Sequence, residues 1–599
     1  MTGTEHGPGV RRTSGTRRPD ARADTGVRRA VVGTDDDAPQ GSATASGDAY
    51  PTSTGSDDAP LTHRGTGEGN GSGREFVGPD DKPHQASPTG SDDACPTSTG
   101  SSDRHLTHRG TGQRAGSGTG FAARLADFAA RCRDGIPPAV VEDATARITD
   151  ALGNCLAALG PYVGDETAGG PHEAALTVAR RAGGNPESTA IGSGARLPAD
   201  RAALVNGTLA HALDFDDTHL PSVLHPTAAV LPAALAAAEA SGADGPLTVA
   251  ALVAGGEICV RLGMASYDPR LRNSVFFEKG LHATSICGTV GAAVAAGLAL
   301  GLTSAQLADA IGIACSMGAG VIEANRTGGT VKRIHCGWAA HCGVSAAQLA
   351  AGGVTGPPTV LEGRFGFLTA FLGDRWDAGP LLTGLDAMDD AARWEYPRTV
   401  YKPYPSNHFT HPGIDCALAL RADGLDPADV VAVELGVAAA PRRTIGEPRE
   451  QKVRPSSPYH AKFSGPYTVA SALLADRDRG PGVQLRDFTP EAFTDPRRLA
   501  LAARVEVVSD ARCDAEFPHA FGAVLRVRTR GGARLEHRVT SSRGGPGNPL
   551  SAAELAEKFR TGAEPSLGAE RSGRLAATAA ALPGAGPGCV TDLLSLTRI

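Results

Sequence analysis

Two hydrophobic patterns follow one another along this 599-residue chain, after a stretch that has neither. Up to about residue 118, Gly, Ser, Thr, Asp, Pro and Arg dominate, and large apolar residues are nearly absent. Such a composition buries too little apolar surface to offset chain entropy, so residues 1–118 are expected to be a disordered, low-complexity extension. From Phe121 the sequence turns rich in Ala and Leu and reads as many helices. Ala228–Ala240 and Gly288–Leu302 are apolar all round, which predicts buried helices. Thr303-Ser-Ala-Gln306 and Ser551-Ala-Ala-Glu554 have capping-box spacing and open further helices. After about residue 425 the pattern changes to short β-type runs at Val430–Val437, Ala503–Val508, Val524–Thr529 and Leu535–Thr540. Gly531-Gly532 suits a hairpin turn between the last two. The expectation is a mainly α chain: a helical body, a smaller α+β domain and a final helical segment.

The extension contains a near-repeat, since Pro51 through Gly67 returns as Pro96 through Gly112. Two copies without an apolar face cannot stack into a solenoid core, so duplication at the DNA level is the simpler reading. A native start near residue 118 is one expectation that follows.

Charge and cysteine usage narrow the function. The net charge is −7, which argues against a nucleic-acid partner held by a basic surface. No apolar run is expected to approach the roughly 20 residues that cross a bilayer, and the N-terminus has no secretory apolar core, so no membrane partner is expected. Eleven cysteines without a C-x-x-C pair indicate neither a disulfide framework nor a cluster, and fit a reducing, cytoplasmic setting. Past residue 120 there is no G-x-S-x-G elbow, Walker loop or complete G-x-G-x-x-G, so no nucleotide cofactor is expected.

The densest chemistry lies in Asn206–Pro226, where Asp214, Asp216, Asp217, His211, His219 and His225 interrupt apolar sequence. Asn206, His211 and Asp214 recur at helical spacing and predict a polar stripe. Buried carboxylates and imidazoles are costly unless paired or used, which favours a proton-transfer site. Three meanings compete for Asp214-Phe-Asp-Asp217: a metal site, the acid of a terpene cyclase, or a metal-free proton shuttle. Aromatics form only 5% of the chain, too few for a cation-stabilising cavity, and no H-x-x-x-H pair lies nearby. The plainer alternative is that Asp216 and Asp217 cap a turn. Three further segments qualify. His282 and Thr284 begin an Ala-rich helix. Lys332-Arg333 precede another, where one suits a carboxylate clamp and the other a solvated surface position. His335-Cys336 and His341-Cys342 do not share a helix face, so zinc is not expected. The fourth segment, Tyr401–Pro412, gathers Lys402, Tyr404, Asn407, His408, Thr410 and His411 on a Pro-rich loop, and His460 to Tyr467 adds weaker candidates.

These motifs, in order, resemble the MmgE/PrpD family, which includes 2-methylcitrate dehydratase and cis-aconitate decarboxylase. The carrying residues are Asn206-Gly through Asp217, His225-Pro, Gly280-Leu-His282, Gly329-Thr-Val-Lys332, Lys402-Pro-Tyr-Pro, Thr410-His-Pro412 and Pro549 to Phe559. The resemblance spans about 121–565. It implies an all-helical domain built from N- and C-terminal segments plus an α+β lid, as a homodimer: 119–398 helical, 399–548 lid, 549–599 returning. By that resemblance the site falls on Asp214, Thr218, His225, His282, Lys332 and Lys402, with Tyr467 and His408 as further substrate contacts. It makes His225 the main proton carrier assisted by His282, Lys332 and Lys402 the carboxylate clamps, and Asp214 an orienting group. No metal or cofactor is implied, and the partner is a small polycarboxylate. Dehydration of a citrate-like hydroxy acid ranks first. Decarboxylation or isomerisation of a related acid is the alternative, and a non-catalytic helical scaffold the third.

Overall fold

The computed structural model describes residues 120–161, 170–327, 329–476 and 482–599. The segment 1–118 and its repeat lie outside the described residues. Six Ala-rich helices frame the larger core: α1 (Pro138–Ala157), α2 (Ala199–His211), α3 (Pro226–Ser241), α4 (Gly245–Met264), α5 (Ala283–Ala299) and α6 (His335–Ala351). α5 buries every one of its residues and α3 nearly all, as their all-round apolar sequence requires. Small residues let the backbones meet: a Cβ on Gly207 of α2 would stand 2.7 Å from the Cα of Gly337 in α6. That crossing matters for the site, because His211 ends α2 and Lys332 and His335 lead into α6.

α4 corrects the expectation that no apolar run approaches bilayer length. It has 20 residues and a mean hydropathy of 1.6, enough by length and composition to cross a membrane, yet 89% of that window is buried inside the protein. It also carries Glu257 and Arg261, one turn apart and paired at 2.6 Å. Glu257 accepts the N–H groups of Glu395 and Tyr396, and Arg261 donates to the carbonyls of Pro380, Thr383 and Arg393. The pair therefore ties α4 to the 380–396 segment as a core helix.

The second core surrounds a four-stranded sheet of β1 (Val430–Val437), β2 (Val505–Ser509), β3 (Ala523–Thr529) and β4 (Arg534–Val539). The strand order is β2-β1-β3-β4, with β1 and β2 parallel and the other pairs antiparallel. Gly532, at φ +85°, turns the β3–β4 hairpin. Leu435 and Leu525 of the sheet pack with Ile414 and Ala417 of α7 (His411–Ala422) and Val469 of α8 (Gly465–Leu473). Cross-strand ion pairs join Arg526 to Glu434 and Glu536.

The chain then returns to the first core. α9 (Ala552–Leu567), opened by the Ser551–Glu554 capping box, sets Phe559 against Gly153 of α1. Phe559, Leu575 and Leu594 share a hydrophobic cluster with Ile148 and Leu152. The protein is thus mainly helical with a small α+β part. Ten cysteines among the described residues are free and buried.

Candidate active site

The site forms where α2 ends. The helix stops at His211, and three residues later Asp214 takes φ +54°, a left-handed conformation that Asp tolerates better than most residues. The expected polar stripe therefore divides. Asn206 stays on the helix and accepts from Ile191 N–H while donating to the Thr189 carbonyl, away from Asp214. Asp214 instead lies between two ammonium groups. Lys332 Nζ is 2.9 Å from its Oδ1; Lys402 Nζ is 3.1 Å from its Oδ2 and 2.8 Å from its main-chain oxygen. Thr218 brings Lys402 there, because its N–H and carbonyl pair with those of Val400 at 2.9 and 2.8 Å. Burial alone would raise the Asp214 carboxyl, but Lys332 and Lys402 outweigh it and hold it well below the usual carboxylate range.

The resemblance assigned these two lysines to substrate carboxylates, and the structure places both on an internal one. Lys332 also donates to His211 Nε2 at 3.0 Å, so His211 carries its proton on Nδ1 and gives it to Asp216 Oδ2 at 2.7 Å. Each ammonium has three N–H groups, and two are engaged on Lys332 and on Lys402. Among the described residues one N–H remains on each. Neither Lys332 nor Arg333 is the solvated cation expected of that pair: they are 4% and 8% exposed, and Arg333 stacks at 4.1 Å over the Tyr459 ring.

Three imidazoles close around this trio. His225, at the start of α3, sets Nδ1 2.7 Å from the Asp217 carbonyl, with Thr218 Oγ1 at 3.3 Å. A carbonyl only accepts, so Nδ1 bears the proton and Nε2 carries the lone pair. Thr284 Oγ1 takes the His225 main-chain N–H. Burial drives the His225 ring down to about 3; Asp216 at 3.6 Å opposes this, while Lys402, His211 and Lys332 add to it. His282, at the start of α5, lies with Nδ1 2.9 Å from His335 Nδ1. Burial, Lys332, His335, His211 and His225 hold the His282 ring well below its ordinary value. Ring centroids separate His211 from His225 by 5.1 Å, His211 from His282 by 6.0 Å and His282 from His335 by 4.9 Å. Nε2 of His225 and of His282 make no hydrogen bond among the described residues.

His408 meets Ser542 Oγ through Nε2 at 2.9 Å and stacks on His411 at 4.7 Å. Its Nδ1 is buried with no hydrogen-bond partner among the described residues, and Lys402, His225 and Asp214 all bear on the ring, so it belongs beside the cluster. Tyr467 does not. Its hydroxyl donates to the Asp487 carbonyl and accepts from Arg498 at 2.9 Å, and its ring packs against Phe488 in the second core. The reason is helical phase: Gly465 and Val469 of α8 face Leu435 of the sheet and Gly413 of α7, and Tyr467, two residues from each, points the opposite way, to Phe488 and Arg498.

Two residues of the preceding turn take its place. Tyr459, which the sequence reading passed over, has a buried hydroxyl with no hydrogen-bond partner among the described residues and lies under the influence of Lys332 and Asp214. Lys462, weighed only as a weaker candidate, donates to the carbonyls of Leu213 at 2.9 Å and Pro405 at 2.8 Å. It joins the segments that carry Asp214 and Lys402, and burial draws its ammonium down to about 7 despite Asp214. The signal for both was an aromatic and a cation within Pro458–Lys462, a short helical turn in a segment bounded by prolines and glycine.

Asp217 has the plainer role foreseen for it. It accepts from Thr227 Oγ1 at 2.5 Å and from the buried Arg147 at 3.0 Å, fixing the first turn of α3. His211, Asp216 and Cys336 bring potential ligand atoms within 4.8 Å of one another. Both His211 nitrogens are engaged, however, and the Lys332 ammonium at its Nε2 stands where a cation would have to approach. The trio therefore does not make a cation site.

Fold and site together define a mainly helical protein with one buried cluster of imidazoles, ammonium groups and carboxylates. Residues 123–378 match the MmgE/PrpD N-terminal domain and residues 404–583 the MmgE/PrpD C-terminal domain. The chain belongs to the MmgE/PrpD family. It is similar to the human (Homo sapiens) protein named cis-aconitate decarboxylase, at 30% identity over 392 residues, 62% of this chain and 74% of that protein. The mouse (Mus musculus) protein of the same name is 29% identical over 392 residues, 62% and 73% of the two chains. That of Aspergillus terreus is 36% identical over 187 residues, 30% of this chain and 37% of its own length.

Proposed function

We propose that this MmgE/PrpD family lyase decarboxylates a small unsaturated polycarboxylate of the cis-aconitate type. The observation that carries the reading is the grouping of two proton-bearing imidazoles, His225 and His282, beside the Lys332–Asp214–Lys402 trio. Two ammonium groups fixed in a water-poor site offer preorganised donors to a polyanion. The remaining N–H of each lysine is available to a substrate carboxylate, while Asp214 fixes both lysines in place. As the bond to the leaving carboxylate breaks, its electron pair stays on carbon and spreads into the neighbouring unsaturated acid. Donors preorganised in a low-dielectric site stabilise that charge. His282 then delivers a proton to carbon from Nε2, and His225, whose Nδ1–H is held by Asp217, presents Nε2 to the substrate.

The names of the relatives rank decarboxylation ahead of dehydration of a 2-methylcitrate-type acid, which ranked first on the family resemblance. The homodimer implied by the family resemblance is part of the same reading. The test is to incubate the purified protein with cis-aconitate and, separately, with 2-methylcitrate, following CO2 release and loss of the unsaturated acid. Release of CO2 from cis-aconitate that His225→Ala and His282→Ala both abolish supports the reading. Turnover of 2-methylcitrate alone would reverse the ranking.

A further inference from the structure

His335 has no part in the chemistry described so far, and its position gives it one. It opens α6 and holds the start of that helix against α5 through Ser285 Oγ, which donates to its carbonyl at 3.2 Å. Trp338, three residues on along α6, shares its side of the helix and is 42% exposed, and Val331, in the 3-10 turn before it, is 48% exposed. His282, on its other side, is 3% exposed and faces the cluster. His335, itself 6% exposed, thus lies between the buried His282 and the exposed Trp338.

Two imidazole nitrogens 2.9 Å apart share one proton. With His335 donating from Nδ1, His282 accepts on Nδ1 and carries its own proton on Nε2, ready to give. With the proton on His282 Nδ1, its Nε2 is bare. Lys332 and His211 bear on both rings, and His225 on His282; with burial they draw His335 down to about 4, so both rings rest neutral near pH 7.

We propose that His335 is the proton relay that recharges His282 from solvent; this rests on the decarboxylase reading above. Decarboxylation takes up one proton per turnover, whereas dehydration expels the proton it removes as part of water and draws none from outside. In the relay, the carbon–carboxylate bond breaks, CO2 leaves and the electron pair on carbon takes the proton from His282 Nε2. His282 Nδ1 takes the proton of His335 Nδ1, and His335 Nε2 takes one from solvent. The sum is one carboxylate and one proton in, one C–H bond and one CO2 out. After product leaves, reorientation of the two rings carries the His282 proton back to the substrate side and presents the His335 proton to His282, restoring the starting pair.

The experiment measures CO2 release from cis-aconitate by the whole enzyme, His335→Ala and His335→Gln, in weak buffer with and without added imidazole. His335→Ala is expected to lower kcat by roughly ten- to a hundredfold, the lower range for a lost acid–base group, with KM within about twofold. Added imidazole should restore its kcat saturably and leave the unsubstituted enzyme unchanged. His335→Gln keeps a hydrogen bond to His282 but passes no proton, so it should be as slow; it carries the test if Ala disturbs folding. An unsubstituted enzyme that releases no CO2 overturns the decarboxylase reading and the relay with it. A competent enzyme whose Gln variant matches its kcat, or whose Ala variant does not respond to imidazole, overturns the relay alone.

Discussion

Replacing Asp214 by Asn removes one negative charge and little else. Asn is nearly isosteric and accepts the left-handed backbone at φ +54°. The carboxylate stands 2.9 Å from one ammonium and 3.1 Å from the other. At an effective dielectric near 20, each contact amounts to about 5 kcal/mol before desolvation is counted. The carboxamide oxygen satisfies one lysine, but its NH2 faces the other. Removing one partner of a buried ion pair costs about 3–5 kcal/mol, and that is the loss of unfolding free energy expected for Asp214→Asn at pH 7. Its pH dependence follows from the shifts. The folded-state Asp214 value lies well below its unfolded one, so its contribution is full above about pH 4 and fades as pH falls through the folded value. Lys332 is raised above its ordinary value, because Asp214 outweighs the burial that would lower it; that contribution is full below about pH 10 and is lost as pH rises through the raised value. Urea denaturation of both proteins from pH 2.5 to 8 is the assay, with the gap widest near neutrality and narrowing in acid. A gap under about 1 kcal/mol at pH 7, or one that does not change with pH, would refute the reasoning.

Three further outcomes are expected. Tyr467→Phe should leave kcat and KM within about twofold while lowering stability by about 1 kcal/mol, the net worth of its hydroxyl bonds in the second core; a tenfold fall in kcat would put the hydroxyl back in the site. Binding of tricarballylate, a saturated tricarboxylate, should draw protons from solution near pH 6.5, because His225 is neutral there in the empty site and nearby anions raise its basicity. Calorimetry in buffers of different ionisation enthalpy measures that uptake, and a binding enthalpy independent of buffer would contradict it. Dialysis against a chelator should leave turnover unchanged, and activity lost and then regained with added metal would reverse the reading of His211, Asp216 and Cys336.

Much of this arrangement was legible in the residues, and the gaps have physical causes. Apolar periodicity revealed α3, α5 and all four strands because burial imposes those periods on sequence. The capping boxes at Thr303 and Ser551 are local hydrogen-bond patterns that need no tertiary information. The cluster of His225, His282, Asp214, Lys332 and Lys402 was legible because ionisable groups inside apolar sequence are costly. What could not be read was which group each would meet. Charge alone does not tell whether a lysine awaits a substrate or an internal carboxylate, and here Asp214 reaches both first. Helical spacing carried Asn206 and Asp214 onto one stripe, since spacing does not mark where a helix stops. Tyr467 and Tyr459 are eight residues apart, and only the tertiary packing of the two segments decides which one faces Lys332. α4 escaped notice as a long apolar run because Glu257 and Arg261 interrupt the text while neutralising each other in space.

The sulfur atoms carry a practical consequence. Burial lifts the thiols of Cys132, Cys155, Cys287 and Cys315 far from ionisation, and each described cysteine is enclosed by the fold. Among the described residues a thiolate-seeking dye therefore finds little to label in the folded state and many targets once the helices separate, so alkylation kinetics at these ten cysteines act as an intrinsic clock of opening.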